Sequence, residues 1–85
     1  MDLQSLRNQI NEIDEQLIPL LMKRMDIAKE VAAYKAERGI PVLNSEREQE
    51  ILDKVGAKCG EQGDAIKTIF SATMDASRAI QHKII

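Results

Sequence analysis

The sequence predicts an all-α chain of three helices, long, short and medium, with no sheet. Three observations lead there. Apolar residues recur at helical spacing along the 85 residues, and no stretch alternates as a strand would. The helix breakers fall at Gly39 to Pro41 and at Gly56 to Gly63, which divides the apolar pattern into three. The composition, 44% hydrophobic and 31% charged, fits a helix-rich protein that faces water. There is no internal repeat and no low-complexity segment, so residues 1–85 read as a single helical domain.

The first helix is predicted over Leu3 to Arg38. Leu3, Leu6, Ile10, Ile13, Leu17, Leu20, Leu21, Ile27, Ala28 and Val31 share one arc of roughly 120°. Some 35 residues at 1.5 Å each make a rod of ~50 Å. A compact globule of this chain length is only ~30 Å across. The rod therefore overhangs its own domain, and its apolar stripe calls for cover from a second chain. Pro19 removes one N–H and crowds the carbonyl a turn earlier. It projects away from the apolar arc, so one bent helix is expected, the alternative being a break near Ile18.

Gly39 suits a helix end, and Pro41 blocks continuation. The linker Gly39-Ile40-Pro41-Val42-Leu43 is short and fairly apolar. A second helix is predicted from Asn44 or Ser45, with Ser45 and Glu48 at capping-box spacing. Ile51, Leu52 and Val55 form its apolar face, and Gly56 to Gly60 ends it. Gly60-Glu61-Gln62-Gly63 reads as a loop, and Asp64 as the cap of a third helix carried by Ile66, Ile69, Phe70, Thr73, Met74, Ile80 and Ile84.

Composition narrows the functions. Twelve Lys and Arg against fourteen Asp and Glu leave a net charge of −2, and one Tyr and one Phe make no stacking platform. Nucleic acid is therefore not expected as a partner. No apolar run reaches membrane-spanning length, so no membrane partner is expected. The opening Met1-Asp2-Leu3-Gln4 has no basic region leading into an apolar run, which predicts no secretory signal. With the single cysteine Cys59, this points to a cytoplasmic protein. One Cys and one His, His82 near the C-terminus, do not make a zinc site, and no nucleophile triad or glycine-rich phosphate loop is present. No metal and no cofactor are expected.

What stands out is polar groups inside apolar arcs. Arg24 and Lys35 fall near the centre of the first helix's stripe, roughly 20° apart around the axis and ~16 Å along it. Glu48 lies inside the arc of the second helix, with Arg47 at its edge. Ser77 and Gln81, one turn apart, lie inside the arc of the third. Taken singly, each has a structural account. Glu48 is the capping-box acid, the cations pair with core carboxylates or extend outward on their stems, and Ser77 and Gln81 are satisfied core groups. Taken together, three cations face one acid, an imbalance that a dianionic ligand would correct. The cluster holds no nucleophile, metal set or redox group, so any catalysis must come from positioning and charge stabilisation.

From Leu3 to Gln81 the chain resembles the all-helical chorismate mutase family. The resemblance rests on Leu6-Arg7, Ile13-Asp14, Leu20-Leu21, Arg24, Ala28…Val31…Lys35, Pro41-Val42, Arg47-Glu48 and Ser77…Gln81, in that order. It implies an intertwined homodimer of three-helix chains and the cofactor-free Claisen rearrangement of chorismate to prephenate, on the route to phenylalanine and tyrosine. It matches Arg7, Arg24, Lys35, Arg47, Glu48, Ser77 and Gln81 to active-site positions. Lys35, Gln81 and Glu48 would be catalytic, and Arg7, Arg24, Arg47, Ser77 and Asn44 would bind substrate. Asn44 stands where the family pattern has an Asp near the ligand hydroxyl. Arg7 lies ~25 Å along the helix from Arg24 and about 100° round it, so it would have to enter the site from the other subunit.

Two other functions stay open on the sequence. A relative on the same fold cleaves isochorismate to pyruvate and salicylate in a similar cationic pocket. A helical interaction module would instead place the stripe on a partner helix and the cations on partner acids.

Overall fold

The computed structural model describes residues 2–84. The expected three helices form: α1 over Leu3–Arg38, α2 over Ser45–Lys58 and α3 over Gly63–Ile84. A single 3₁₀ turn, Gly60–Gln62, leads into α3. No strand occurs among the described residues.

Each boundary of α1 has a chemical cause. At its start the Asp2 carboxylate accepts from the Ser5 backbone N–H at 2.7 Å, satisfying one of the donors that a helix leaves open. At its end Gly39 takes the left-handed conformation, φ 66°, and Ile40 N–H donates to the Lys35 carbonyl at 2.9 Å. Pro19 lies inside a helix assigned without interruption from Leu3 to Arg38, so the chain does not divide near Ile18. Pro19 is exposed.

α2 begins differently from the expected capping box. Its cap is Asn44, whose side-chain oxygen accepts from Arg47 N–H at 3.0 Å. Ser45 is the first helical residue, and Glu48 turns its carboxylate to α3 instead of back to the helix start. Asn and Ser cap about equally well, and with Asn44 as the cap Glu48 is free for a distant partner. α2 ends at Lys58 with Cys59 as its cap, within the expected Gly56 to Gly60 stretch, and Val55 is buried in its last turn. α3 starts at Gly63 and not after an Asp64 cap; Asp64 sits in the first turn, where its charge suits the helix dipole.

Packing is concentrated at one end of the rod. α3 lies against both α1 and α2. The buried apolar groups are Ala28 and Ala32 of α1, Val42 of the linker, Val55 of α2 and Met74 of α3. Ala28 and Ala32 are a turn apart, and Ala32 has no exposed surface, so small side chains set the close approach to α1. Val42 ties down the linker that carries the chain from α1 to α2.

The other end of α1 is bare. Every residue from Leu3 to Lys23 is exposed, including Leu3, Leu6, Ile10, Ile13, Leu17, Leu20 and Leu21, at 37 to 64% of their surface. The chain measures 54 × 25 × 14 Å with a radius of gyration of 15.9 Å. A compact chain of this length would have about 12 Å. The overhang expected from helix length alone is thus present.

The Gly39 end of α1 gives a direct test. A side chain there has open space but must adopt the left-handed backbone. Gly39→Ala is expected to cost about 1–2 kcal/mol, read as a lower urea midpoint at unchanged slope. An unchanged midpoint would mean that this helix end does not contribute to stability as described.

Candidate active site

The cleft lies where the three helices meet, at the packed end of α1. It is about 290 Å³ in volume. α1 contributes Arg24 and Lys35 on either side of Ile27, Ala28 and Val31. The linker brings Val42 and Asn44, and α2 brings Arg47, Glu48 and Ile51. α3 closes it with Met74, Ser77, Arg78 and Gln81. The floor is apolar and the rim is charged, the usual build of a small-molecule site.

Helical spacing explains the convergence. Arg24, Ala28, Val31 and Lys35 follow i, i+4, i+7, i+11, so they stay on one face for three turns. That face meets α3 at Met74, and Ser77 and Gln81 extend it by one turn and two. Lys35 and Arg24, the two cations in the apolar stripe, are half-buried and not sealed in the core. Lys35 Nζ donates to the Val42 carbonyl at 2.8 Å, which leaves two of its three protons for another partner. Arg24 forms no ion pair among the described residues.

Gln81 is the one buried polar side chain of the described residues, at 7% exposure. Its Nε2 donates to Ser77 Oγ at 3.2 Å, while its Oε1 is buried with no partner. A buried amide oxygen left empty costs on the order of 1–3 kcal/mol. An orphan of that cost beside a cleft marks a place where a ligand or a rearranged hydrogen bond belongs.

The charge balance is more lopsided than the sequence suggested. Four cations, Arg24, Lys35, Arg47 and Arg78, line the cleft with one carboxylate, Glu48. That carboxylate is engaged, since Arg78 Nε donates to Glu48 Oε2 at 2.8 Å. Arg78 also pairs through a terminal nitrogen with Asp75 one turn back. Arg47 reaches Glu50 at 3.4 Å on the exposed side of α2. Asn44 lines the cleft, but its side-chain oxygen is occupied by the α2 cap.

Of the eight residues singled out in the sequence, seven therefore meet in one cleft. Arg7 does not: it is exposed on the bare end of α1 and lines no part of the cleft. Sequence reasoning missed Arg78. The signal was there, because Arg78 follows the buried Met74 by four residues and so lies ~40° from it around the helix, nearer than Ser77 at ~60°. Cys59 closes α2 and is half-buried outside this cleft, and His82 is exposed.

Comparison with known proteins converges on the family that the residue pattern suggested. The chorismate mutase type II family matches residues 6–82. A chorismate mutase of Methanocaldococcus jannaschii is 33% identical over 98% of this chain and 87% of its own length. A secreted chorismate mutase of Yersinia pestis is 32% identical over 80% of this chain, which spans only 38% of that protein. In three dimensions, a chorismate mutase (form II) structure from Thermus thermophilus superposes with a TM-score of 0.86 over 93% of this chain and 92% of that one. At 23% identity that likeness speaks for the fold. Together with the match over nearly the whole sequence, it establishes that the chain belongs to the chorismate mutase type II family.

Proposed function

We propose that the cleft rearranges chorismate to prephenate without a cofactor, and that it does so in a homodimer whose second chain supplies Arg7. The observation that carries this reading is the charge of the cleft. Four cations face a single carboxylate that is already paired, in a space sized for a small molecule. Chorismate is a dianion, and its rearrangement is intramolecular, so the protein need only hold a reactive conformer and stabilise charge as it moves.

The groups divide the work by type. Arg24 and the second chain's Arg7 take the two carboxylates, because a guanidinium donates two parallel hydrogen bonds. Arg47 and Ser77 assist them. As the C–O bond breaks, negative charge gathers on the ether oxygen, and Lys35 and Gln81 donate to it. The Val42 carbonyl holds Lys35 in place for this before substrate arrives. Gln81 serves once its amide turns over, so that Oε1 accepts from the Ser77 hydroxyl and Nε2 faces the cleft. That exchange also satisfies the empty oxygen. Glu48 accepts from the ring hydroxyl, with Asn44 at the same edge of the cleft acting through its backbone, since its side chain caps α2.

The bare stripe of α1 supports the dimer. A second copy lying along it would cover leucines and isoleucines that face water in one chain. An antiparallel pairing brings the far end of one rod over the packed end of the other, and with it Arg7 over the cleft. No helix among the described residues is long and apolar enough to cross a membrane. The single cysteine fits a cytoplasmic setting.

The primary test follows chorismate by ultraviolet absorbance and identifies the product chromatographically. Saturable formation of prephenate is expected; release of pyruvate from isochorismate without any prephenate from chorismate would overturn the reading. Lys35→Ala is expected to lower kcat about 100-fold or more with KM changed far less, since its partner is charged mainly in the transition state. A raised KM at normal kcat would remove that role. Gln81→Glu is expected to shift activity to acid, because a carboxyl donates only when protonated; an unchanged pH profile would place Gln81 away from the ether oxygen. Arg7→Ala and Arg24→Ala, each inactive alone, are expected to recover about a quarter of wild-type activity on equal mixing, since half the dimers are mixed and each has one complete site. No recovery would refute Arg7 acting across the dimer.

A further inference from the structure

We propose that Arg78 is a positioning residue that occupies Glu48 and so keeps the substrate-binding cations free. The inference rests on the reading of the cleft as an anion site and assigns a task to a residue that the mechanism above does not use.

The physical problem is competition. A carboxylate placed among Arg24, Lys35 and Arg47 has its strongest available partners in the groups meant for the ligand. Once paired with one of them, it would neutralise that cation and block it. Glu48 is three-quarters buried at its side chain, so water screens such a pairing only in part. In the structure Glu48 does not turn that way. Arg78 reaches across from α3, thirty residues on in the chain, and its Nε donates to Glu48 Oε2 at 2.8 Å. Asp75 accepts from Nη2 of the same guanidinium, which holds Arg78 from its own helix. Glu48 Oε1 has no hydrogen-bond partner among the described residues and is left to accept from a ligand hydroxyl. Arg24 meanwhile makes no ion pair, and Lys35 bonds a neutral carbonyl.

The claim is thus about pairing, and it predicts non-additivity. Arg78→Gln keeps the stem but loses the charge, and Glu48 is then expected to fall onto Lys35 or Arg24. KM for chorismate should rise roughly tenfold or more, the scale of one charge-assisted hydrogen bond, with kcat less affected. Adding Glu48→Gln to Arg78→Gln removes the competitor. The second change should then cost clearly less than Glu48→Gln costs in the wild-type background, and Arg78→Lys should retain part of the wild-type KM. A residue that only stabilises the fold would not be relieved by changing Glu48. Additive losses, or a KM for Arg78→Gln within twofold of wild type, would overturn the proposal.

A second measurement separates this from the mutase reading. Thermal protection by sulfate, a dianion that needs no turnover, is compared across wild type, Arg78→Gln and the double variant. Protection that falls in Arg78→Gln and returns in the double variant upholds the clamp even if chorismate is not converted. Equal protection in all three overturns it even if chorismate is.

Discussion

The structure depends on one mismatch: a helix of 36 residues in a chain of 85. The remaining residues make two shorter helices, of 14 and 22 residues, and cover only one end of it. Everything else follows from where that cover falls. The packed end carries the buried alanines and the cleft; the bare end carries a row of leucines and isoleucines and Arg7. Burying each such apolar side chain is worth roughly 1.5–3 kcal/mol. The bare end is therefore a large apolar surface left in water by the single chain. The dimer proposed above would cover it and would carry Arg7 to the second chain's cleft.

Much of this was legible in the sequence, because the relevant information is periodic and local. The arc of Leu3 to Val31 predicts the rod, and Gly39 with Pro41 predicts its end. Polar residues inside apolar arcs picked out Arg24, Lys35, Glu48, Ser77 and Gln81, and the structure brings all five to one cleft. What escaped was what depends on pairing between distant segments. The partner of Glu48 is Arg78, thirty residues away, and nothing local announces it. Asn44 and Ser45 are adjacent and equally good caps, so the choice between them is not legible locally. The start of α3 at Gly63, ahead of the expected Asp64 cap, likewise escaped, because the 3₁₀ turn Gly60–Gln62 runs directly into the helix.

The cleft also shows how a small protein keeps a dense cluster of like charges without losing its fold. None of the four cations is buried outright. Arg47 stays exposed beside Glu50, Arg78 is held between Glu48 and Asp75, and Lys35 and Arg24 are half-buried. Half burial is a compromise between two costs. Deep burial would exact the full desolvation of each unpaired charge. Full exposure would weaken every interaction with a bound anion through screening. Placing the cations beside the apolar lining of Ile27, Val31, Ile51 and Met74 keeps the field strong where a ligand would sit.

Preorganisation turns on what holds each donor before a ligand arrives. Lys35 is tied to the Val42 carbonyl, and Val42 is itself buried, so the ammonium cannot wander along the groove. Gln81 is buried and bonded to Ser77 on the adjacent turn, with one amide oxygen in excess, and its proposed role requires the amide to turn over first. Glu48 is paired with Arg78. The three groups that the proposed mechanism sets on the ether oxygen and the ring hydroxyl are thus each hydrogen-bonded to a second residue. A reaction that breaks and forms bonds within one molecule, with no proton or group passed to the protein, gains from donors that need not reorganise as charge develops. In this cleft, Val42 would supply that fixity to Lys35 and Arg78 to Glu48, and their positions follow from the packing of α1 and α2 against α3.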